Sequence, residues 1–124
     1  MIYTDGSHKA KWGSWAFVIV HRNKIIHQGY GRESRTNSHR MEFQAAIEAL
    51  KYLVPKSRVI VHTDSKVLLN AVTASLKRPA VNPDQVETLF DLMAKNNVTW
   101  QWVKAHSGNK YNEICDELCR QARS

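Results

Sequence analysis

Two segments of this chain end alike, Ile2-Tyr3-Thr4-Asp5-Gly6-Ser7 and Ile60-Val61-His62-Thr63-Asp64-Ser65. Each is a run of β-branched and aromatic residues closing on an aspartate, and open α/β sheets bind ligands at the carboxyl ends of their strands. Two such strands side by side would present two carboxylates able to hold a divalent cation. An oxygen-only ligand set selects a hard ion, magnesium or manganese. Each aspartate also has a structural role open to it: Asp64 as N-cap of a following helix, Asp5 in a turn beside Gly6.

Glu42 is more informative than either. On a helical wheel Gln44, Glu48 and Lys51 share a polar face, whereas Glu42 lines up with Ala46, Ala49 and Leu53. A carboxylate turned towards small and apolar neighbours is costly unless it is paired or bound to metal. Its place in the first helical turn, where the dipole favours a negative charge, is the competing explanation. Asp116, beside Asn112, Arg120 and Arg123, reads by pattern alone as a solvated residue. Other chemistries lack their residues. No serine sits in a nucleophile-elbow glycine pattern, and five glycines form no phosphate-cradling loop. His21, His27, His39, His62 and His106 are scattered rather than clustered as zinc ligands.

The elements that must position these groups follow from pattern. Residues 1–5 read as a strand before a Gly/Ser turn, and residues 15–21 and 25–31 as strands around an Arg22-Asn23-Lys24 hairpin. Asn37 or Ser38 caps a helix running to about Val54 and ended by Pro55. Residues 58–63 form a strand and residues 65–76 a helix, with a loop over residues 77–81. Asn82-Pro83-Asp84-Gln85 carries a capping Asn, Pro at the first helical position and Gln at the third. Residues 98–103 complete the strands and residues 112–122 the helices. The order is βββαβααβα, an α/β chain with a five-stranded mixed sheet flanked by helices.

At 124 residues there is room for one domain and one core. A hydrophobic content of 43% with four tryptophans suits a globular chain. Of the tryptophans, Trp100 and Trp102 share a strand face, so one should pack in the core; Trp15 should pack as well, and Trp12 stays open. The formal charge of +7 favours polyanions without naming one. Cys115 and Cys119 share a helical face with Ile114, Leu118 and Ala122 and read as reduced thiols against the core. No run reaches membrane-spanning length, and Met1-Ile2-Tyr3 opens without a signal-peptide pattern, so the expectation is a cytoplasmic protein with no membrane partner.

The chain resembles type 1 ribonuclease H over nearly its whole length. The resemblance rests on Tyr3-Thr4-Asp5-Gly6-Ser7, Arg40-Met41-Glu42-Phe43-Gln44-Ala45-Ala46 and Thr63-Asp64-Ser65, then on Trp102-Val103-Lys104-Ala105-His106-Ser107-Gly108 and Asn112-Glu113-Ile114-Cys115-Asp116-Glu117-Leu118. It implies a single ribonuclease H-like domain over residues 1–124 that works as a monomer. Such an enzyme hydrolyses the RNA strand of an RNA–DNA hybrid, leaving 5′-phosphate and 3′-hydroxyl ends. The family's acidic quartet falls on Asp5, Glu42, Asp64 and Asp116, which would hold two Mg2+ ions, with Mn2+ as a substitute. His106 falls on the family's mobile histidine, which assists proton movement or product departure. Gly6, Ser7, Ser38, His39 and Gln44 are implied to probe the RNA strand, and Arg35, Thr36 and Asn37 to meet DNA-strand phosphates.

Three departures from the family pattern stand out. Ser38-His39 occupies the place of an asparagine pair, with Asn37 one position early. His8-Lys9-Ala10-Lys11-Trp12 replaces a glycine-rich stretch. The long basic protrusion of many bacterial members is reduced to Leu76-Lys77-Arg78-Pro79 and a short loop, which predicts weaker hybrid binding and a steeper response to salt. A non-catalytic hybrid-binding module and the excised ribonuclease H domain of a reverse transcriptase are the alternative readings.

Overall fold

The computed structural model describes residues 1–73, 82–104 and 108–123. Its sheet has the order β3-β2-β1-β4-β5. Strands β1 (Ile2–Lys9), β2 (Trp12–His21) and β3 (Lys24–Ser34) form an antiparallel meander, and β4 (Arg58–Thr63) and β5 (Asn97–Trp102) continue it in parallel. The helices are α1 (Ser38–Lys51), α2 (Lys66–Thr73), α3 (Pro83–Ala94) and α4 (Lys110–Arg123). The βββαβααβα order and the mixed sheet are as the sequence predicts.

Alternation along β2 sends its side chains to two cores. Phe17 packs with Ile2, Phe43, Ile47, Leu50 and Val61 in a cluster that α1 covers. Ala16, Val18 and Val20 point the other way and pack with Tyr3, Cys115, Leu118 and Cys119 under α4. Both cysteines are free and buried, as expected. Trp15 packs against the first cluster and so does Trp100, whereas Trp102 is 40% exposed. Trp12 lies under the Arg32 guanidinium, 4.2 Å from ring centroid to Cζ.

Local chemistry moves several boundaries. No turn occurs at Gly6-Ser7; β1 runs on to Lys9 because β2 pairs with it residue by residue as far as Trp12. Arg22 and Asn23 both have positive φ, 51° and 63°, the two-residue turn that matches strand twist in a hairpin. Helix α1 starts at the expected Asn37 cap but ends at Lys51, short of Val54. The residue before a proline avoids helical backbone, and the Tyr52 N–H closes the helix onto Ala49.

Asn82 does not cap α3 with its side chain. Its backbone is left-handed at φ 46°, and its Oδ1 accepts instead from Arg40 Nη1 at 3.4 Å. Gln85 likewise leaves the local cap and donates to the Arg40 carbonyl and to Gln44 Oε1, binding α3 to α1. Helix α4 begins two residues early because Asn109 Oδ1 accepts from the N–H groups of Tyr111 and Asn112. The expected loop over residues 77–81 and the Leu76-Lys77-Arg78-Pro79 segment fall outside the described residues.

Candidate metal centre

β1 and β4 pair in parallel with Tyr3 opposite His62. The same offset carried two residues further brings Asp5, midway along β1, towards Asp64, which directly follows the last residue of β4. Ser65, not Asp64, caps α2, its Oγ accepting from Leu68 N at 3.1 Å. That removes the capping role open to Asp64 and leaves its carboxylate free for the site.

Glu42 arrives from the other direction, on the first turns of α1. The helix can approach because Gly6 has no side chain: a Cβ there would stand 2.3 Å from the Glu42 nitrogen. This close approach delivers Glu42 to the strand ends, while Gln44, Glu48 and Lys51 form a hydrogen-bonded chain elsewhere on the helix. Ligand atoms of Asp5, Glu42 and Asp64 all lie within 4.8 Å of one another.

Asp5 and Glu42, set this close to Asp64 and to each other, resist ionisation. Burial, then the charge of Asp64, pushes the Asp5 carboxyl up to about 8. Burial first, and then the charge of Asp5, raises Glu42 well above the ordinary glutamate range. Asp5 Oδ1 accepts from the Gly6 N–H at 2.9 Å. Glu42 Oε1 and Asp64 Oδ1 are buried with no hydrogen-bond partner. Sealed carboxylate oxygens without donors, in mutual repulsion, have the chemistry a hard divalent cation relieves, so these residues fit such an ion.

Asp116 stands apart. On α4, its Oδ2 accepts from Arg120 at 2.7 Å, and its side chain is 18% exposed rather than solvated as pattern alone suggests. Its charge is nevertheless felt at Asp5. Helix α4 is moored beside the cluster by its thiols: Cys115 Sγ donates to the Tyr3 carbonyl and Cys119 Sγ to that of Asp5. His106 falls outside the described residues.

The remaining sequence candidates divide. Ser38 and His39 line a cleft of about 510 Å³ together with Glu42, Asp64, Lys66 and Trp102. Lys66 Nζ lies 4.9 Å from the Trp102 ring centroid, a cation over an exposed aromatic face. Sequence reasoning missed Lys66; its place directly after Ser65, in the first turn of α2, is the available signal. Asn37 Oδ1 is occupied capping α1, accepting from Arg40 N at 2.9 Å. Gln44 bridges Glu48 and Gln85 and so faces α3 rather than the cluster. Gly6 serves the helix approach, and the Ser7 hydroxyl accepts from Arg123. Arg35 is exposed with φ 53°, and Thr36 Oγ1 is buried without a hydrogen-bond partner.

Comparison with known proteins agrees with this geometry. The profile of the RNase H family matches residues 1–124. "Ribonuclease H" of Francisella tularensis subsp. novicida is 38% identical over 134 aligned positions, covering 97% of this chain and 88% of that protein. The Francisella philomiragia "Ribonuclease H" is 37% identical with the same coverage. Among solved structures, LC11-RNase H1 in complex with an RNA/DNA hybrid superposes with a TM-score of 0.77 at 19% identity, over 99% of this chain and 98% of its own. RNase H1 from the halophilic archaeon Halobacterium salinarum superposes with a TM-score of 0.81 at 19% identity, over 98% and 95%.

Proposed function

The chain belongs to the RNase H family, and from that premise we propose an endoribonuclease that hydrolyses the RNA strand of RNA–DNA hybrids at Asp5, Glu42 and Asp64. The observation that carries this reading is the meeting of three carboxylates from β1, α1 and β4 within 4.8 Å, two of them with sealed, unpartnered oxygens. Asp116, whose carboxylate is paired with Arg120, would complete the set as a fourth ligand. This quartet would hold two divalent cations, Mg2+ by the hardness of its oxygen ligands, and these would supply a water of lowered pKa and counter-charge for the leaving oxygen.

The chain's own groups do the rest. Asp5 lies within β1 and Asp64 directly follows β4, the neighbouring strand, so the scissile phosphate meets a template set by the sheet. Glu42, shielded by α1, keeps one side of that template dry. Attack on phosphorus breaks the bond to the 3′-oxygen, leaving a 5′-phosphate on one fragment and a 3′-hydroxyl on the other. His106, whose intrinsic pKa lies near neutrality, delivers the proton that the 3′-oxygen takes up. Ser38 and His39, at the mouth of the cleft, are placed to read the 2′-hydroxyls that only one strand of a hybrid carries. Lys66, which lines the same cleft, offers its charge to a phosphate.

The test is cleavage of an end-labelled RNA–DNA hybrid, with single-stranded RNA, duplex RNA and duplex DNA as controls, each with magnesium and with a chelator. Cutting confined to the RNA of the hybrid and stopped by the chelator is the expected result. Folded protein that binds the hybrid but cuts nothing with magnesium or manganese would turn the reading into a non-catalytic binding module.

A further inference from the structure

Helix α4 ends on Arg123, seven residues and two turns beyond Asp116, and therefore on the same face. Among the described residues its guanidinium pairs with no acid. Nη1 donates to the hydroxyl of Ser7 and, at 3.0 Å, to that of Ser14. The two serines stand directly opposite one another on β1 and β2, their oxygens 3.1 Å apart, and Ser14 is completely buried. Arg40 and Arg120 each meet a carboxylate, whereas among the described residues none lies within ion-pair distance of Arg123.

A guanidinium carries five donors in a rigid fork. Two neutral acceptors fix the orientation of this one without cancelling its charge, and no partner for Nε or Nη2 is found among the described residues. Ser7 follows Asp5 by two residues on the same face of β1, a step of about 6.6 Å along the strand. The charge of Arg123 is felt at the Asp5 carboxylate. A half-buried, oriented cation with no acidic partner among the described residues thus stands one short step from the carboxylates beside which the scissile phosphate would lie.

We propose that Arg123, clamped by Ser7 and Ser14, binds a non-bridging oxygen of a phosphodiester neighbouring the scissile one on the RNA strand. This rests on the hydrolase reading and assigns to the chain a substrate contact built from the last turn of α4. The pairing of Ser7 with Arg123 also gives that serine a defined part: it aims the guanidinium. A cation at this position offsets some of the affinity lost with the basic protrusion.

Hybrid binding by the non-cleaving Asp64→Asn protein, titrated across potassium chloride concentrations, distinguishes a phosphate contact from a mere tether of the helix. Arg123→Gln is expected to lower the slope of log K against log salt by roughly 0.7–0.9, the signature of one lost phosphate contact, while Arg123→Lys keeps it. A scan of single neutral methylphosphonate linkages along the RNA should find one position where Arg123 protein loses affinity and Arg123→Gln protein does not. Circular dichroism of each variant separates these effects from unfolding. An unchanged slope together with an unchanged scan overturns the Arg123 assignment and leaves the hydrolase reading standing. Absence of any hybrid binding by the wild-type chain overturns both.

Discussion

Asp5, Glu42 and Asp64 owe their positions to backbone: two parallel strands in register and a helix seated on Gly6. Asp116 owes its position to a helix moored by side chains, two thiols and a terminal arginine, and its own carboxylate is held by Arg120. The first group is rigid, dry and electrostatically strained; the second is half-wet and already neutralised. Under the proposed function this contrast implies a division of labour: three fixed carboxylates would define the metal centre and a fourth would join them on giving up its arginine.

The sharpest way to break that division is to neutralise a member of the rigid group. Glu42→Gln should abolish hybrid cleavage, by about three orders of magnitude or more, while raising metal-free stability by roughly 1–3 kcal/mol because a buried repulsive charge is gone. Gel assay and urea melts in chelator check both halves. Loss of activity with loss of stability would show Glu42 to be structural.

Next in size is the seat itself. Gly6→Ala forces a methyl group against the α1 backbone, which should cost roughly 1–3 kcal/mol and displace Glu42 enough to cut kcat by at least tenfold. A chemical denaturation curve beside steady-state rates reads both, and a fully active alanine variant would deny the close approach its role.

The mobile ligand should respond more gently. Asp116→Asn is expected to lower activity some 10–100-fold and to raise the magnesium concentration needed for half-maximal rate. Arg120→Ala, which frees Asp116, should lower that requirement with less than about 1 kcal/mol lost in stability, as suits an exposed partner. Equal effects at Asp116 and Glu42 would erase the distinction between the two regions.

The sequence carried much of this. Two strands closing alike on an aspartate pointed to a site only as a pair, since each aspartate fits a cap or a turn, whereas Glu42 broke a local rule by lying on the apolar side of its helix. Asp116 broke none and was found only through family resemblance. Arg123 was passed over because its partners, Ser7 and Ser14, are more than a hundred residues away in the chain and ordinary in type. The missed boundaries have the same origin: the Asn82 and Gln85 side chains serve contacts with α1 that no local capping rule contains, and β1 continues past Gly6 because β2 pairs with it.

The most direct test of the strained cation site compares wild-type and Asp5→Asn proteins in thermal melts from pH 5 to pH 9, with and without magnesium. Asp5 is raised from 3.8 to about 8 in the fold, so folding favours its protonated form. Its contribution is therefore lost as pH rises through about 8. In chelator, Asp5→Asn should gain on the wild-type protein from pH 5 up to about pH 8 and level off beyond it, and magnesium should close the gap by stabilising wild type alone. A gap independent of pH, or magnesium stabilising both proteins equally, would contradict the assignment of this cluster as the metal centre.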